Sequence, residues 1–249
     1  LIAVGIWHVE NMSIFAIVMI FIAVTTTLFG YRTTFANTQK KVSPKDEVLP
    51  FNAMTVYVQF FKNKALFCSG MIMILSSIVF GAMSTFIPLY TVREGFANAG
   101  IFLTIQAITV VIARFYLRKY VPSDGLWHHR FMMIVLTLLM VASIIVAFGP
   151  HIVSIFVYIS AIFIGITQAL VYPTLTTYLS FVLPKIGRNM LLGLFIACAD
   201  LGISLGGVLM GPISDTVGFK WMYILCALLV TIAMTLSKIR QRQSVSKAS

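Results

Sequence analysis

The stretch from Tyr172 to Tyr223 reads YPTLTTYLSFVLPKIGRNMLLGLFIACADLGISLGGVLMGPISDTVGFKWMY, and its pattern decides the fold. It contains the end of one apolar run, a break at Leu183–Pro184–Lys185–Ile186–Gly187–Arg188, a second apolar run over 191–212, and a further break at Ser214–Phe219 before a third run. Lys185 and Arg188 lie in the first break, and no Lys or Arg lies in the second. Apolar runs near or above roughly 18–20 residues are long enough to cross a bilayer core. Cations confined to alternate breaks orient such helices, because cytoplasmic loops collect Lys and Arg.

Working outward, the same pattern covers the chain. Apolar runs at about 14–31, 68–90, 98–117, 131–148, 152–180, 191–212 and 221–237 predict seven spans. Sixteen of the eighteen Lys and Arg residues fall on one side: between Arg32 and Lys64, between Arg114 and Arg130, at Lys185 and Arg188, and from Lys238 onward. Only Arg93 and Lys220 fall on the other. The expectation is an N-terminus outside and a C-terminus in the cytoplasm of a multi-pass cell-membrane protein.

Composition points the same way. The chain is 59% hydrophobic and 10% charged, where a soluble domain carries about a quarter charged residues. The net charge of +11 sits in loops beside spans, so topology explains it and no nucleic-acid partner is implied. The partner expected for these surfaces is the lipid bilayer. Trp7, Trp127 and Trp221 lie at span ends, as interfacial aromatics do. Cys68, Cys198 and Cys226 fall inside spans without a CxxC pair, and His128 and His129 read as two solvated loop histidines. No disulfide framework, metal site or cofactor is expected. No nucleophile–base pair or phosphate loop suggests an enzyme.

The longest polar stretch, Arg32 to Asn63, separates the first span from the other six. TFANTQKKVSPKDE reads as a charged linker. LPFNAMTVYVQFFKN places Asn52, Thr55, Gln59 and Asn63 on one helical face and reads as an interfacial helix. The organisation expected is therefore 1–31 as the end of a preceding span and one helix, 32–63 as cytoplasmic linker, 64–237 as a six-helix lobe, and 238–249 as a basic tail. Leu1 stands inside an apolar stretch, which suggests a fragment or a truncated reading frame.

Specific segments resemble the major facilitator superfamily. Leu183–Arg188 resembles its short cytoplasmic turn before the eleventh helix. Asp200-Leu201-Gly202, Gly206-Gly207 and Gly211-Pro212-Ile213-Ser214-Asp215-Thr216-Val217-Gly218 resemble its glycine-rich eleventh helix and outer turn. RFYLRKYVPSDG, from Arg114 to Gly125, resembles the second-lobe copy of its basic loop motif. Within the family, GFANAGIFLTIQAI, ARFYLRKYVPSDG, GRNMLLGLFIACADLGISLGG and GPISD resemble exporters of opine-type metallophores. The resemblance implies an all-α membrane protein: the second six-helix lobe of a transporter plus the last helix of the first, with most of the first lobe missing. It implies alternating-access efflux of a small opine metallophore, driven by proton exchange. Two other readings fit the pattern: a seven-span receptor, and a non-functional transporter remnant.

In that architecture the substrate site lies near the midplane between lobes. Gln106, Gln168 and Asp200 lie near the middles of three different spans. Gln168 and Tyr172, one turn apart, share a face and are candidate substrate contacts. Pro173 is expected to break the helix locally and free carbonyls there. Gln106 either lines the cavity or bonds another helix. Asp200, the one acidic residue within the apolar runs, should face the bundle interior or a wet cavity. It either carries protons or binds a cationic group, or else fixes packing. Arg114 either neutralises an anionic ligand or snorkels to the interface. Gly202, Gly206, Gly207 and Gly211 form small-xxx-small pairs for close helix packing.

Overall fold

A computed structural model describes residues 60–149, 155–185 and 187–245, together with the isolated residues 20, 21, 24, 25, 27 and 58. The expected span at 14–31 and most of the linker at 32–63, including the proposed interfacial face at Asn52, Thr55 and Gln59, lie outside the described residues. Described regular structure is helical throughout: α1 (Lys64–Glu94), α2 (Ala99–Tyr116), a short 3₁₀ turn (Arg118–Tyr120), α3 (His129–Phe148), α4 (Ile155–Val182), α5 (Arg188–Val217) and α6 (Phe219–Val245). Six of these are long and apolar enough to cross a membrane.

Local chemistry sets the helix starts. The Asn63 side chain accepts from the backbone N–H groups of Ala65 and Leu66 at 3.0 and 3.3 Å, so it caps α1. It therefore belongs to the first span of the lobe, not to the surface of an interfacial segment. Phe60 is buried as well, with its ring against Phe67 and over Gly70. Asn98 caps α2 in the same way, accepting from Gly100 and Ile101, while its own N–H donates to the Tyr158 hydroxyl on α4 at 2.9 Å. The α5–α6 connection narrows to Gly218, whose φ of 87° is the left-handed geometry that L side chains avoid.

Helix ends depart from the apolar runs. α5 continues through Ser214 and Thr216, where a turn was expected. Both hydroxyls fold back, Ser214 donating to the Gly211 carbonyl and Thr216 to that of Pro212, each at 2.8 Å. α6 runs on to Val245 through Lys238 and Arg240, which were expected in a tail. Lys, Arg and Gln are good helix formers, and cations suit a helix C-terminus. Pro173 does not interrupt α4. It has no N–H to give the carbonyl of residue 169, yet the helix continues through it, as membrane helices tolerate.

The six helices share one hydrophobic core. α1 is central: 78% of its most apolar window is buried, against 17% for α2. α1 packs chiefly on α5 and α6, α2 on α4, and α3 on α6 and α4. Exchanging α1 with α4, α2 with α5 and α3 with α6 maps the α1–α5 pair onto the α4–α2 pair and leaves the α3–α6 pair in place. That is the pairing pattern of two three-helix repeats. Both equivalent crossings are close. At α1–α5, a Cβ on Gly202 would meet Ser77 Cβ at 2.6 Å and the Ile74 carbonyl at 2.7 Å, and one on Gly206 would strike the Ile78 carbonyl. At α2–α4, a Cβ on Gly165 would meet Thr109 Cβ at 2.8 Å and the Gln106 carbonyl at 2.9 Å.

Candidate functional site

The α2–α4 crossing brings two of the midplane residues into contact. Gln106 Nε2 on α2 donates to Gln168 Oε1 on α4 at 3.1 Å. Gln106 is 6% exposed, and its own Oε1 has no partner. Gln168 is half-buried, as is Tyr172 one turn along α4. The Tyr172 ring lies 6.1 Å from that of Phe195 on α5, so three helices meet here. Neither Gln168 Nε2 nor the Tyr172 hydroxyl makes a hydrogen bond among the described residues. The arrangement is a small polar cluster within an otherwise apolar set of spans. It can offer hydrogen bonds to a ligand but no charge.

Asp200 and Arg114 stand apart from this cluster. The buried face of α5 contains Phe195, Ala199, Gly202 and Gly206, and Asp200 lies on the other side, exposed. It makes no hydrogen bond or ion pair among the described residues. Asp200 therefore does not face the interior of the six described helices, the first of the two placements expected for it. Ser204 and Gly207, at four and seven residues further on, share that face. Arg114 is exposed near the end of α2. Eight residues beyond Gln106, it lies about 12 Å further along the axis.

The four candidate packing glycines divide. Gly202 and Gly206 sit in the α1–α5 crossing, where a Cβ has no room, whereas Cβ atoms at Gly207 and Gly211 would find ordinary spacing of 3.8 and 3.7 Å. Gly165 went unread in the sequence although it sits one turn before Gln168 and sets the α2–α4 spacing.

A second polar group, also unread, ties the far ends of α3, α4 and α6. Arg240 donates to the Tyr178 hydroxyl from Nη2 at 2.6 Å and from Nε at 3.1 Å. Trp127 packs edge-on against Tyr178 and donates from Nε1 to the Ser237 carbonyl at 3.2 Å. His129 Nδ1 is 3.3 Å from Ser237 Oγ, and His128 Nε2 is 3.3 Å from Asp124. Neither histidine is simply solvated, and Trp127 is a strut between helices as well as a span-end aromatic. The signal available was the run of Trp, His and Arg after a basic turn, which charge counting absorbed into topology. Among the described residues no three His, Cys, Asp or Glu side chains gather into a metal site.

The sequence profile of the Major Facilitator Superfamily matches residues 1–207 and 123–249, which together span the chain. The chain belongs to the Major Facilitator Superfamily. It is a multi-pass membrane protein of that family's transporter architecture. It is 69% identical over 241 residues to the staphylopine export protein of Staphylococcus aureus (strain Mu50 / ATCC 700699), covering 97% of this chain and 61% of that protein. It is 23% identical over 176 residues to uncharacterised MFS-type transporters of Burkholderia mallei (strain SAVP1) and Burkholderia pseudomallei (strain 668), covering 70% of this chain and 42% of each. The chain thus spans about three fifths of the Staphylococcus relative and less than half of the other two.

Proposed function

We propose that this chain forms the second lobe of a secondary exporter of an opine-type metallophore. It works by alternating access with a first lobe and is driven by proton exchange. One observation carries the substrate class: 69% identity over nearly the whole chain to a protein named for staphylopine export. The Gln106–Gln168 pair, with Tyr172 beside it, supports a polar contact zone where two lobes of this architecture enclose their ligand. Gln168 and Tyr172 contact the ligand, Gln106 supports them, and Arg114 draws an anionic ligand from the cytoplasm. Asp200, on an exposed face of α5, is the proton-coupling group. The ligand leaves chemically unchanged, so the protein is not an enzyme. The N-terminus lies outside and the basic C-terminus in the cytoplasm, as the charge distribution of the loops supports. The lobe, expected over 64–237, begins with the Asn63 cap and runs on to the end of α6 at Val245, and the residues from 32 up to that cap act as its linker. The seven-span receptor and transporter-remnant readings gain no support from the family.

The test is retention. Cells that synthesise staphylopine but lack their own exporter should accumulate it, and a two-lobed transporter containing this chain should restore its release. Continued retention with the protein present in the membrane overturns the substrate assignment.

A further inference from the structure

We infer that Gln106 is a positioning residue: it fixes the Gln168 amide so that α4 presents two adjacent donors, Gln168 Nε2–H and Tyr172 O–H, to a carboxylate of the ligand. This rests on the cavity reading proposed above and assigns that site a polarity.

The argument begins from the burial of Gln106. At 6% exposure it cannot itself meet a ligand across the open face, while Gln168 and Tyr172 are half-buried. Its Nε2 donates one of its two hydrogens to Gln168 Oε1 at 3.1 Å. With its Oε1 turned toward Gln106 and accepting there, the Gln168 amide turns its Nε2–H groups away from Gln106. The opposite orientation of the two amides would leave the buried Nε2 of Gln106 with unpaired hydrogens. An unpaired buried donor is rarer in folded proteins than an under-satisfied carbonyl, and here only Gln106 Oε1 goes unpartnered. Tyr172, at i+4, adds a hydroxyl on the same face of α4 that has no partner among the described residues.

Helix packing holds this polarity in place. Gly165 lies one turn before Gln168, and a Cβ there would meet Thr109 Cβ and the Gln106 carbonyl at under 3 Å. The close approach that permits the amide pair therefore depends on Gly165. Opines are amino acids bearing a carboxyalkyl group on nitrogen, so they carry more than one carboxylate. Two neutral donors aimed at an anionic oxygen make charge-assisted hydrogen bonds. They give a neutral carboxamide in its place a weaker match.

The experiment measures binding of metal-free staphylopine, and of a derivative with its carboxylates converted to carboxamides, to a purified two-lobed transporter containing this chain. Gln168→Ala should weaken staphylopine binding about tenfold, the scale of one lost charge-assisted bond. Gln106→Leu should weaken it about threefold to fivefold and narrow the preference over the carboxamide derivative. In the double variant, Gln106→Leu should add nothing to Gln168→Ala. Gly165→Ala, which forces the two helices apart without touching either amide, should reproduce the narrowed preference. If the two losses multiply in the double variant, or Gln106→Leu leaves the preference intact, the positioning role is wrong while the cavity stands. If Gln168→Ala binds staphylopine normally, the cavity reading has failed and this inference falls with it.

Discussion

Asp200 and Gly202 stand two positions apart on α5 and face opposite ways. Gly202 turns into the contact with Ser77 and Ile74, whereas Asp200 turns out of the lobe and meets no partner among the described residues. An ionised carboxylate in lipid costs about 2.5–3.5 kcal/mol on insertion scales. In a membrane its surroundings must therefore be wet or polar. We expect Asp200→Asn to cut proton-gradient-dependent efflux in vesicles by about tenfold, with staphylopine affinity changed by less than about twofold. Efflux at the normal rate, with normal dependence on the pH gradient, would leave Asp200 without a coupling role. Tyr172→Phe keeps the ring against Phe195 and removes only the hydroxyl. Its expected signature is reversed: an apparent affinity lowered about threefold, from one neutral hydrogen bond, with maximal efflux little altered. The sequence showed these residues as polar marks at similar depth. It allowed a bond from Gln106 to another helix but did not name Gln168, 62 residues away, as the partner, because nothing local announces which two helices meet.

Crossings rather than single helices carry the lobe's stability. Gly206 on α5 backs onto the carbonyl of Ile78 on α1, so Gly206→Val must push apart the two most intimately packed helices. We expect a loss of about 1–3 kcal/mol, read as a lower midpoint of thermal unfolding in detergent. Gly211→Ala, where a Cβ meets only ordinary spacing, should leave the midpoint unchanged. An equal drop in both would mean that α5 tolerates no side chain anywhere on its glycine-rich length. At the far end, Tyr178→Phe strips Arg240 of its hydroxyl acceptor. Hydrogen bonds to charged groups contribute about 1.5–3 kcal/mol, so accelerated protease cleavage within residues 238–245 is the expected outcome. The interiors of the helices were legible as apolar runs, because a bilayer core demands length and apolarity alone. Their ends were not. Backbone hydrogen bonding continues past the point where hydropathy falls, as it does through Thr216 on α5 and Arg240 on α6.

For the whole molecule, the charge pattern makes a sided prediction. Single cysteines replacing Asp124 or Lys185 should react with an impermeant thiol reagent only after the cytoplasmic face is opened, and those replacing Glu94 or Thr216 in intact cells. Labelling at residue 185 from outside would overturn the arrangement. The α2–α4 pairing bears on how such a protein is made. α2 has few buried residues, and its main partner is α4. α4 follows it in the chain with α3 between them. α1 likewise packs most intimately against α5, a helix still further downstream. During synthesis both early helices therefore enter the lipid before the surfaces they need exist. α2 must wait without its main partner, with Gln106 facing hydrocarbon or a borrowed partner. A ribosome that stalls after α3 would release a polypeptide whose two crossings are both unmade, a natural substrate for membrane quality control.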